Sequence, residues 1–168
     1  MSQSNLPRPP QSGALDEPAG EYLLSACPII VRRRVMWGEC DPAGVVYTPR
    51  FADYLAAAFG WFERVVLAPV NGEDGGPAVA TPMKALSLEF SRTLRPNDIF
   101  DMAVHVEEVR DRTFDLRITG KSPDGALLFA GSLTPIFVSL PDFGRVEMPK
   151  SMQRALHAYR NECATDAE

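Results

Sequence analysis

Val35-Met36-Trp37-Gly38-Glu39-Cys40-Asp41-Pro42-Ala43-Gly44-Val45-Val46-Tyr47-Thr48-Pro49, with the run from Arg50 to Leu67 behind it, decides how this chain folds. It reads as a strand end, a tight acidic turn and a helix start. Asp41-Pro42 opens a turn because proline presets φ, and Gly44 supplies backbone free of a Cβ. Thr48 is the expected N-cap and Pro49 the expected first helical residue, where a missing N–H costs nothing. Beyond it Phe51, Tyr54, Leu55, Ala58, Phe59, Phe62, Val65 and Val66 recur with helical spacing and predict one broad buried face. A carboxylate therefore stands just upstream of an apolar helix. The positive end of that helix favours an ionised acid, and unpaired N–H groups there can polarise a carbonyl.

Outward from this stretch, residues 1–27 mix Pro, Ser, Gln, Gly and acidic residues and predict a flexible tail. Ile29 to Trp37 alternates as a first strand. Its three successive arginines, Arg32, Arg33 and Arg34, suggest a solvated or charge-protected edge; a phosphate or a carboxylate partner is the other reading. Within the helix Gly60 costs about 1 kcal/mol against alanine, so it marks either a close backbone approach or simple tolerance. Asp53 and Glu63 lie off the apolar stripe and are expected in solvent. The segment from Pro69 to Pro82 has no strong pattern and reads as an excursion that could cover a pocket mouth. Strand alternation then returns over Lys84 to Arg92, Ile99 to Val109 and Thr113 to Gly120, and Ala126 to Leu140, nearly apolar throughout, reads as a strand central for part of its length, all separated by short turns. Pro135 cannot donate to a ladder, so a bulge or an unpaired edge is expected there. Met152, Leu156 and Tyr159 share one side of a C-terminal helix. A strand, a long helix and then four strands joined by turns predict an α+β domain with an antiparallel sheet.

Composition narrows the function. With 168 residues, 45% of them hydrophobic, the chain can bury one sizeable core. A net charge of −5 argues against a nucleic-acid surface. No apolar run is long enough for a membrane span, the N-terminus lacks the blocks of a secretory signal, and Cys27, Cys40 and Cys163 have no metal-ligand spacing. A cytoplasmic protein with reduced thiols, no membrane, no nucleic-acid partner and no cofactor is the expectation.

Trp37-Gly38-Glu39-Cys40-Asp41-Pro42-Ala43-Gly44-Val45-Val46-Tyr47 closely resembles the signature of the 4-hydroxybenzoyl-CoA thioesterase family of hot-dog proteins. A weaker similarity runs from about Ile29 to Leu140. The resemblance implies a hot-dog fold: a five-stranded antiparallel sheet wrapped around one long central helix over residues 28–148. The segment 149–168 is left as an extra C-terminal helix and tail. It also implies that Asp41 is the catalytic carboxylate, that the substrate is an acyl-CoA, and that at least a homodimer forms, with a homotetramer as the other possibility.

A thioester suits such a site. Its leaving thiolate comes from an acid of pKa about 8.5, so little general-acid help is needed. One carboxylate plus N–H donors on the developing oxyanion suffices, with Asp41 as nucleophile or as general base. The donors are expected at the helix start, near Thr48 to Phe51, or from a partner subunit. Tyr47 and Thr48 are candidate acyl-pocket residues, with a buried aromatic packing the turn as the other reading of Tyr47. Trp37 is expected in the core. Arg92 and Arg95 are candidates for the CoA phosphates, with Lys84 and Lys121 behind them. His105 and His157 are the only histidines, both expected at the surface, and no Gly-x-Ser-x-Gly elbow occurs. The competing reading is a non-catalytic hot-dog module that binds acyl thioesters or stabilises an assembly, with Asp41 an ordinary turn residue. A dehydratase or hydratase ranks last, because such relatives pair a histidine with an acid.

Overall fold

The computed structural model describes residues 20–140 and 142–165. Strands β1 (Glu21–Ala26), β2 (Ile29–Arg34), β4 (Met83–Phe90), β5 (Ile99–Val109), β6 (Phe114–Lys121) and β7 (Leu127–Pro135) form one antiparallel sheet in the order β1-β2-β5-β6-β7-β4. The short strands β3 (Val79–Ala80) and β8 (Val138–Ser139) pair separately. Helix α1 (Arg50–Phe62) lies on one sheet face and continues through a π-helical turn, Glu63–Leu67, and a 3₁₀ turn, Ala68–Val70. Helix α2 (Lys150–Thr165) closes the chain.

The main sheet thus has six strands, not five. The added strand corrects the expected tail: residues 1–19 lie outside the described residues, but Glu21–Ala26 pairs with β2. Glu21 holds it there, accepting from Arg33 on β2 at 2.6 Å and from the Trp61 indole on α1 at 3.1 Å. Arg32 likewise pairs with Asp101 on β5 at 2.7 Å, so two of the three arginines meet carboxylates. Arg34 is exposed.

Period-two alternation puts Phe100, Met102, Val104 and Val106 of β5, and Phe114, Leu116 and Ile118 of β6, on the helix side, all buried. Against them α1 sets Phe51, Tyr54, Leu55, Ala58, Phe59 and Phe62. Phe51 meets Phe129 edge-on at 5.3 Å, and Phe62 meets Tyr159 of α2 at 5.2 Å. The close approach of helix and sheet occurs at Gly131 on β7, where a Cβ would overlap the Leu55 side chain. Gly60 has no heavy atom within 4 Å of an added Cβ, so it is merely tolerated. The irregularity expected at Pro135 is present: β7 ends there, and the opposing β4 shifts register between Met83 and Ala85.

Met152, Leu156, Tyr159 and Cys163 bring α2 into the main core. The Pro69–Pro82 excursion is pinned beside it, with Asp74 accepting the Ser151 N–H at 2.6 Å and Asn71 bonded both ways to Val79. Glu63, expected in solvent, is half-buried and accepts from the Thr81 hydroxyl. Among the described residues no helix is long and apolar enough to cross a membrane.

Candidate active site

The acidic turn is a small closed loop. Cys40 and Val46 bridge antiparallel, the Asp41 N–H donates to Val45 O at 2.9 Å, and Gly44 N–H returns to Asp41 O at 2.9 Å. Gly44 adopts φ +76°, a region that a side chain disfavours, which is why glycine ends this turn. The half-buried Asp41 carboxylate accepts from Ala43 N–H at 2.8 Å and, weakly, from Val45 N–H at 3.5 Å, both at Oδ1. Those bonds aim the group. Among the described residues Oδ2 carries no bond.

The turn is carried by a charged cluster that sequence reading missed. Glu39 Oε2 accepts from Met36 N–H at 2.8 Å and from the Tyr54 hydroxyl at 3.0 Å, while Oε1 meets Arg33. The Arg33 guanidinium also stacks 4.6 Å from the Tyr54 ring centre. Burial disfavours the Glu39 charge, but the Met36 N–H, Arg33 and Tyr54 outweigh it and hold the carboxyl below its ordinary range. Burial and then Glu39 push the Tyr54 phenol up, so it stays a donor. Tyr54, a polar residue in the middle of an apolar stripe, was the signal available in the sequence.

Behind the turn lies a recess of about 160 Å³ lined by Val45, Val46, Thr48, Phe51, Phe90, Arg92, Thr93 and Leu94. Val46 N–H donates to Leu94 O at 2.8 Å and ties the turn to this wall. Thr48 and Arg92 therefore meet at one recess, and Asp41 adjoins it through Val45. Arg92 also borders a more open groove of about 520 Å³ with Asn97, Asp98 and Ser122. Arg95 lines neither; it is exposed, and its N–H donates to Asp98. Lys84 and Lys121 are exposed on β4 and β6.

Several local expectations change. Thr48 makes no side-chain cap, because the residue before the helix is Pro49, already in helical conformation. The N–H groups of Arg50, Phe51 and Ala52 donate to the carbonyls of Tyr47, Thr48 and Pro49, so they are not spare oxyanion donors. Trp37 is 73% exposed and Tyr47 56% exposed, neither in the core. A 3₁₀ turn at Trp37–Glu39 breaks the strand periodicity that would have turned Trp37 inward. The histidines sit elsewhere: His105 in mid-β5 and His157 on α2, both half-buried rather than at the surface. Burial and then Lys121 pull His105 below the usual imidazole range.

A hot-dog sheet around a central helix, with an acidic turn feeding that helix, defines a class. The model of the thioesterase-like superfamily matches residues 35–156, and the chain belongs to that superfamily, as a thioester hydrolase. It is 29% identical over 103 residues to the 4-hydroxybenzoyl-CoA thioesterase of Pseudomonas sp. (strain CBS-3), spanning 58% of this chain and 72% of that protein. The 1,4-dihydroxy-2-naphthoyl-CoA thioesterase structure from Synechocystis superposes with a TM-score of 0.65 at 20% identity, covering 76% of this chain and 94% of that one. A Staphylococcus aureus protein solved with CoA superposes with a TM-score of 0.71 at 13% identity, covering 79% and 84%. At these identities the two structures speak for the fold.

Proposed function

We propose that this protein hydrolyses an acyl-CoA to the free acid and CoA, with Asp41 as the catalytic carboxylate. The observation that carries this is the placement of Asp41: its carboxylate is held by its own turn, and Val45 of that turn lines a recess walled by Phe51 and Phe90. The similarity to a 4-hydroxybenzoyl-CoA thioesterase supports an aromatic acyl group, and the aromatic walls suit one; a short or medium aliphatic chain fits the same apolar surface. Asp41 serves as nucleophile or as general base for water, and rapid-quench trapping of an acyl-enzyme distinguishes the two. Tyr47 and Thr48 flank the acyl end, and Arg92 at the rim meets a CoA phosphate. Arg95, farther along the same loop, is a weaker partner.

The site is proposed to be completed by a second copy. Leu86, Leu88 and Phe90 of β4 share the helix-side face with buried Leu133, Gly131 and Phe129 opposite them, yet Leu86 and Phe90 are 44% and 50% exposed. Among the described residues β4 is also an edge of the main sheet, with no strand of that sheet on its outer side. A homodimer is the simplest assembly that covers it, and the cytoplasm is the proposed location.

One observation favours a second reading of Asp41: its carboxylate bonds its own turn, as a merely structural aspartate would. Asp41→Asn separates the two, because asparagine keeps the Oδ1 acceptor and removes the charge. The assay is thiol release from a panel of acyl-CoAs, benzoyl to long aliphatic. Asp41→Asn should lose at least about 100-fold in kcat while its Tm stays within about 2 °C of wild type. Equal activity in both proteins would make Asp41 structural. Binding of acyl-CoA without thiol release by wild type would point to the binding-module reading.

A further inference from the structure

Two of the three cysteines, 136 positions apart in the chain, meet. Cys27 Sγ and Cys163 Sγ lie 3.0 Å apart. Cys27 is half-buried at the bend between β1 and β2, and Cys163 is buried near the end of α2. Both fall outside residues 35–156, so the contact joins two elements that flank the superfamily match.

The approach is built, not incidental. Tyr159 precedes Cys163 by one helical turn and so presents the same face of α2. Its buried hydroxyl accepts from Ile29 N–H at 2.8 Å and donates to Val104 O at 2.7 Å. Ile29 is two residues beyond Cys27. One side chain therefore locks the β1–β2 bend, β5 and α2 together directly beside the two sulfurs. Glu162 Oε2 stands 3.9 Å from Cys27 Sγ. Cys40, by contrast, sits in the acidic turn, with its thiol directed at Met36 O.

We infer that Cys27 and Cys163 form an oxidation site that closes into an intramolecular disulfide, stapling the β1–β2 hairpin to the C-terminal helix. With a small disulfide such as oxidised glutathione, the more exposed Cys27 attacks one sulfur and expels one glutathione thiol. Cys163 then displaces the second glutathione from Cys27. Two protein thiols are oxidised, one glutathione disulfide is reduced, and two protons leave with the two glutathione thiols. In a reducing compartment the pair rests as thiols. The bridge closes a loop of well over 100 residues, the regime in which a cross-link restricts the unfolded chain most.

The test uses the full-length protein incubated with oxidised glutathione, then denatured and mass-mapped, beside Cys27→Ser and Cys40→Ser variants. Wild type and Cys40→Ser should each lose two hydrogens in mass, give a Cys27–Cys163 linked peptide, and gain roughly 5–10 °C in Tm that dithiothreitol reverses. Cys27→Ser should show neither the link nor the shift. Free Cys27 and Cys163 thiols after oxidation, a stable glutathione adduct on Cys27, or a bridge that includes Cys40 would each overturn the inference.

Discussion

Two residues before the acid that the sequence singles out, Glu39 carries the heavier set of bonds. It holds Arg33, Tyr54 and the Met36 N–H, with its side chain only 12% exposed. Pairs of this kind are costly to break from one side, because the remaining charge is left without its partner. Glu39→Gln is expected to lose about 1–3 kcal/mol at neutral pH. The pH dependence follows from the direction of the shift. A carboxyl held below its ordinary value contributes stability in full above about pH 4.3 and loses it as pH falls through the folded-state value. Urea melts of wild type and Glu39→Gln should therefore differ most near pH 7 and draw together as pH falls through the folded-state value. A constant gap across that window would mean that packing, not charge, is what Glu39 supplies. That an acid, Asp41, stands in a turn before an apolar helix was legible from residue types, while its catalytic role rests on the family resemblance. Glu39 was not, because its value depends on Arg33 and Tyr54, which reach it from a strand and a helix.

At the level of elements, the helix–sheet contact turns on Gly131. Adding a methyl group there drives into the Leu55 side chain and approaches Ser87 O at 2.9 Å on the neighbouring strand. Gly131→Ala is expected to destabilise by about 1–3 kcal/mol, an overpacking cost, read as a lowered midpoint in urea with little change of slope. A neutral result would show that α1 can slide to make room. β5 and β6 were readable because each has one buried face with period two, and β7 because its near-continuous apolar run, buried from Leu128 to Gly131, marks a strand inside the sheet. Two elements misled. Glu21–Ala26 looked like tail because only Leu23 joins the core, and β1 is held mainly by its ladder and by Glu21. The start of α1 misled in a smaller way, since Thr48 has the right chemistry for a cap but Pro49 already occupies helical φ and ψ.

For the whole molecule, the open edge of β4 is the feature still to be matched to an assembly. A pair of charges on its uncovered apolar face, Leu86→Lys with Phe90→Glu, is expected to shift the protein to monomer in sedimentation equilibrium. Because Phe90 lines the recess, the single Leu86→Lys is the cleaner variant, and it should weaken thiol release in proportion to the monomer formed. A monomeric wild type with full activity would remove the second copy from the site. Chain order and periodicity determined that there is one core, a central helix, an antiparallel sheet and an acid placed before the helix, because those depend on neighbours within a few residues. Only the tertiary structure decided which arginine meets which carboxylate, which apolar strand stays uncovered, and that Cys27 lies against Cys163. Those are contacts between segments far apart in sequence, and no local pattern of residues records them.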